Sequence, residues 1–134
     1  MAILKPFKAL RPNPESAEKI ASVPYDVVNT EEARELAGDN SLSFLHVLRP
    51  EIDLPGGTDL YSEQVYEKAQ ENFNALISEE QLIQEETPSF YIYQLESEGR
   101  RQIGIAGCSS VDDYDRGIIK KHEITRKAKE DDRL

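Results

Sequence analysis

A chain of 134 residues and 15.2 kDa is one domain or part of one, long enough to bury a core. Its 38% apolar and 31% charged residues lie on the polar side of a globular balance, with no run near the roughly 20 apolar residues of a membrane span and no signal-like stretch after Met1. A net charge of -10 leaves no basic face for a nucleic-acid backbone, and Cys108, the one cysteine, has no disulfide or metal-spacing partner, so a cytoplasmic setting without membrane or nucleic-acid partners is expected.

In chain order, Lys5-Pro6-Phe7-Lys8-Ala9-Leu10-Arg11 has a short extended character. Asn13-Pro14 then pairs a capping residue with proline at a first helical position, which predicts a short helix through Ile20. Val23 precedes Pro24 and is biased to extended backbone, so Val23 to Val28 reads as a loop or strand edge. Asn29-Thr30-Glu31-Glu32 is a cap with a carboxylate three positions on, opening a helix that Gly38 ends.

Ser43-Phe44-Leu45-His46-Val47-Leu48 is a short apolar run before Pro50, and its length predicts a buried strand. An exposed loop, Leu54 to Asp59, follows. From Leu60 to Ile77, the residues Tyr61, Val65, Ala69, Phe73, Leu76 and Ile77 recur at spacings of three and four, one face of a long helix. Phe90 to Leu95 and Gln102 to Gly107 flank the turn Ser97-Glu98-Gly99 and should pair as an antiparallel hairpin. Gly104 and Gly107 leave room for a close neighbour, and Cys108 reads as a small buried strand residue.

Asp112 to Gly117 is a polar, turn-rich stretch, followed by a short extended run at Ile118-Ile119-Lys120-Lys121. Thr125 can cap a last helix from Arg126, but Leu134 arrives after only about two turns, and so short a helix is marginal alone. The expectation is a chain cut within a helix, the N-terminal part of a longer protein.

The chemistry-bearing residues gather near that end. Through Ser97 there are 7 basic and 18 acidic residues; from Glu98 onward there are 9 basic and 8 acidic, so an anion is favoured late in the chain. His122-Glu123 lacks the second histidine a zinc protease helix needs, since position 126 is arginine, and no metal site is expected. The same residues suit another chemistry: Thr125 at a helix start, with Arg126, Lys127 and Lys129 close by, can receive a phosphate, and Glu123 or His122 can act as base on a hydroxyl. The plain alternative is an exposed charged turn with a capping threonine.

Tyr25 and Asp26, after Pro24, form a second candidate that can face a ligand or a magnesium ion, or simply cap a turn. His46, inside an apolar run, reads as a hydrogen-bonded structural histidine rather than a ligand. Gly56-Gly57 lacks the lysine and hydroxyl residue that follow a phosphate loop.

Four stretches together carry a family likeness: Val23-Pro24-Tyr25-Asp26-Val27-Val28; Phe44-Leu45-His46-Val47 with Arg49-Pro50-Glu51; Phe90-Tyr91-Ile92-Tyr93; and Lys121-His122-Glu123-Ile124-Thr125 with Lys129-Glu130-Asp131-Asp132-Arg133. In this order they resemble the bacterial and archaeal domain-of-unknown-function family 1015. Members typically have two prolines before Tyr-Asp, whereas Val23 takes the first position here. The resemblance implies a distant relation to the ParB/sulfiredoxin-like fold, which includes nucleotide-using free-serine kinases. It also implies a Gly-His-His-Arg phosphate motif further downstream, a sequence that these 134 residues do not contain.

The fold expected is α+β: a mixed or antiparallel sheet built on the Phe90 to Gly107 hairpin, with the helix from Leu60 packed against it. Two functions follow. In the first, Glu123 and His122 are catalytic and Thr125, Arg126, Lys127, Asp26 and Tyr25 bind substrate or phosphate in a kinase for a small serine-like molecule, using ATP or ADP with Mg in the full-length protein. In the second, the chain is a nucleotide-responsive or protein-binding module without turnover. A homodimer through an open sheet edge is a further expectation.

Overall fold

The computed structural model describes residues 1–120, in which six short strands and five α-helices alternate with two 3-10 turns. The architecture is α+β, as the sequence indicates. The strands form three separate two-stranded ladders rather than one sheet. The chain divides into two units, one from Leu10 to Ile83 and one combining Met1–Ala9 with the residues from Gln84 onward.

In the Leu10–Ile83 unit, β2 (Leu10–Pro12) pairs with β3 (Leu82–Gln84), bringing together the two ends of the segment. The helix α1 (Ala17–Ile20) starts later than Asn13-Pro14 suggests, because the Asn13 side chain accepts from the Glu15 N–H and closes a turn before the helix. The helix α2 (Thr30–Ala37) has the capping box that its sequence spells: Asn29 Oδ1 accepts from Glu32 N at 3.0 Å, and Glu32 Oε2 accepts from Asn29 N at 2.8 Å. Gly38, at φ +50°, ends it.

The apolar run predicted as a strand is instead the short helix α3 (Leu45–Leu48). The N–H groups of His46, Val47 and Leu48 donate to the carbonyls of Ser43 and Phe44, that of Arg49 donates to Leu45 O, and Ser43 Oγ accepts from Leu45 N. As a helix it sends Leu45 into one apolar cluster with Ala33, Ala37 and Ile52, while Phe44 and Val47, three apart, pack against another built on Ile20, Leu76 and Leu82. A strand would alternate sides every residue and separate Phe44 from Val47. Arg49 leaves helical backbone and Pro50 opens a 3-10 turn, Pro50–Asp53, which buries Pro50, Glu51 and Ile52.

The long helix α4 (Glu63–Ser78) follows the predicted face from Val65 to Leu76, both buried, and Phe73 meets Phe44 edge-on at 6.4 Å, while Ile77 is exposed. Leu60 and Tyr61 precede the helix and are exposed. Within its unit, α4 is held by α3 and the Pro50–Asp53 turn; the hairpin belongs to the other unit.

In the second unit, β4 (Tyr91–Ser97) and β5 (Arg100–Ala106) form the predicted hairpin, with Tyr91 opposite Ala106 and Ser97 opposite Arg100. Glu98 and Gly99 both take positive φ, 51° and 74°, the tight two-residue turn whose twist suits paired strands. The strand β1 (Leu4–Lys5) pairs with β6 (Cys108–Ser109), and Phe7 bridges Ser89. Cys108 is therefore in a strand as expected, yet exposed rather than buried, because β6 lies in a two-stranded ladder. Gly107 has the predicted close neighbours: an added Cβ would stand 3.0 Å from Leu4 and from the Phe90 ring.

Tyr91 ties the N-terminal segment down. Its hydroxyl donates to Phe7 O and accepts from Ala9 N, both at 3.0 Å, while its ring packs edge-on against Phe7 at 5.1 Å. Ser110 caps α5 (Val111–Asp115) within the stretch read as turn, and Asp113, 5% exposed, accepts the Ile3 N–H at 2.8 Å. Ile118 and Ile119 both donate their N–H to Asp113 O, which curls the run predicted as extended back onto α5.

Two substitutions test these local accounts by urea unfolding. Asn29→Ala removes one half of the capping box and should cost about 1 kcal/mol. Tyr91→Phe keeps the ring but strands the Ala9 N–H, Phe7 O retaining the Ser89 N–H, and should cost about 1 to 2 kcal/mol.

Candidate functional site

The residues with which the sequence builds its site fall in two groups. His122, Glu123, Thr125, Arg126 and Lys127 lie outside the described residues. Tyr25 and Asp26 are described: with Val27 they form a 3-10 turn after Pro24, whose own ψ is 146°. Tyr25 is half-buried and Asp26 is exposed to solvent. Val23 to Val28 is thus a loop, one of the two readings its sequence allows.

Within the Leu10–Ile83 unit the structure assembles polar groups that the sequence does not link. His46, on α3, is the first. Its Nδ1 lies 2.8 Å from Asp53 Oδ1, and its Nε2 lies 3.2 Å from Asn40 O, so each ring nitrogen faces an oxygen. Asn72, on α4, donates through Nδ2 to the other Asp53 oxygen at 2.8 Å and to His46 O at 2.7 Å. One amide therefore joins the long helix to both the short helix and the 3-10 turn. The histidine is hydrogen-bonded and structural, as read from its apolar surroundings, though it stands on a helix rather than a strand.

This network borders an open cleft of about 410 Å³, with Ser41 and Ser43 on one side and Lys68 and Glu79 on the other. The Lys68 ammonium donates to Glu71 at 2.9 Å along its own helix, and both Asp53 oxygens are engaged by His46 and Asn72. Of the polar groups at the cleft, His46, Asp53, Asn72 and Lys68 already have partners, which suits a joint between elements better than a catalytic centre.

A second network lies around Glu51, 7% exposed in the Pro50–Asp53 turn. Arg49 Nε approaches Glu51 Oε1 to 2.8 Å, a close ion pair, though the N–H is not aligned to make a hydrogen bond. Arg49 Nη2 donates to Thr30 Oγ1 at 3.1 Å, and the Thr30 hydroxyl donates onward to Glu51 Oε1 at 3.2 Å. Arg34 Nε donates to Ile52 O at 3.2 Å, so α2 grips the same turn twice. A buried carboxylate is tolerable here because a guanidinium and a hydroxyl face it.

Sequence reasoning singled out His46 but missed Thr30, Arg49, Glu51, Asp53 and Asn72 as a connected set. One signal was present: Arg49 and Glu51 flank Pro50 directly after an apolar run, where charged residues meet buried backbone. The partners Thr30 and Asn72, about twenty residues away on either side, carry no local sign. Among the described residues no three His, Cys, Asp or Glu side chains gather to hold a metal ion, and no helix is long and apolar enough to cross a membrane.

What the described geometry defines is an α+β chain whose family-bearing residues, His46, Arg49, Pro50 and Glu51, are bound into its framework. The chain belongs to the family described as "Protein of unknown function (DUF1015)", whose model matches residues 4–134. No curated protein and no solved structure matches it.

The two networks make distinct predictions. Glu51→Ala leaves Arg49 unpaired in a partly buried site and should cost about 3 kcal/mol in urea unfolding. Asn72→Ala removes two hydrogen bonds but leaves His46 and Asp53 paired, and should cost about 1 to 3 kcal/mol.

Proposed function

We propose that this chain supplies one wall of the phosphate pocket of a nucleotide-dependent kinase acting on a small, serine-like hydroxyl compound. The observation that carries this is the run Lys121-His122-Glu123-Ile124-Thr125-Arg126-Lys127: a base-capable pair, a hydroxyl and three cations within seven residues. The charge distribution supports it, since the chain turns from strongly acidic to slightly basic where this run lies. Family membership supports it only through the distant relation to ParB/sulfiredoxin-like serine kinases that the resemblance implies; one fold serves many functions, so the residues bear the weight.

The donor set fits ATP or ADP. Arg126 and Lys127 are cations for phosphate oxygens, and the Thr125 hydroxyl is a neutral donor beside them. The nucleotide supplies the phosphoryl group. Glu123, with His122 next to it, takes the proton of the substrate hydroxyl as that oxygen bonds to phosphorus, and the bond to the leaving phosphate oxygen breaks. Asp26, exposed beside Tyr25, is a carboxylate of the kind that holds Mg through water.

Titration calorimetry of the native full-length protein with ATP or ADP, Mg and serine tests this reading. Nucleotide binding with phosphoserine formation is the expected outcome, and absence of any nucleotide binding overturns it. Arg126→Ala should weaken nucleotide binding by about tenfold, roughly 1.4 kcal/mol. Glu123→Ala should abolish turnover with little change in nucleotide affinity. A module that responds to nucleotide without turnover would bind it and form no phosphoserine in either background.

A further inference from the structure

We draw no further inference here: the strongest candidate, the exposed apolar surface of the β4–β5 hairpin, with Ile92, Ile103 and Ile105 on one face and Tyr93 and Leu95 on the other, carries nothing because no feature of the structure shows what covers it.

Discussion

The stretch from Phe44 to Asp53 holds residues 10–83 together, and it does so by winding rather than extending. A six-residue apolar run can sit in a core as strand or helix. Here the helical choice lets Leu45 and the pair Phe44 and Val47 serve two apolar clusters at once, while His46 turns to polar partners. The following 3-10 turn then buries Glu51 against Arg49 and Thr30, and Asp53 receives both His46 and Asn72. If this stretch were extended, α2 and α4 would lose the groups that fasten them.

This arrangement bears on how the family motif is understood. Histidine, arginine and glutamate close together invite a catalytic reading, yet each is occupied by a neighbour on another element. The His46 ring is held at both nitrogens, Asp53 is held at both oxygens, and Glu51 is 7% exposed. Polar groups satisfied in this way specify how elements meet, at the cost of little freedom to meet a ligand. The functional reading therefore rests on the residues from His122 to Lys127 and not on the polar networks of the Leu10–Ile83 unit.

The second unit relies on long-range ties of a different kind. A two-stranded hairpin alone is marginal in water. The N-terminal segment gives it company: Tyr91 holds the backbone at Phe7 and Ala9, and Asp113 holds Ile3 across 110 positions of chain. Gly107 permits this closeness, since Leu4 and the Phe90 ring occupy the space a side chain would need. A residue without a Cβ is what lets β1 lie beside β6 there.

The sequence by itself determined the features whose causes are local. The capping box at Asn29 and Glu32 involves residues three apart; α4 declares itself by apolar spacing; the hairpin follows from two apolar runs around Glu98-Gly99. The α+β class follows from these elements, and the family likeness follows from ordered motifs along the whole chain. Only the tertiary structure decided that Ser43 to Leu48 winds, that Cys108 is exposed, that Ile118 and Ile119 curl back to Asp113, and that His46, Asp53 and Asn72 are one network. In each case the deciding partner lies elsewhere in the chain or is missing from a ladder edge. Hydrogen bonds and burial join groups by distance in space, whereas periodicity and caps record only neighbours in sequence.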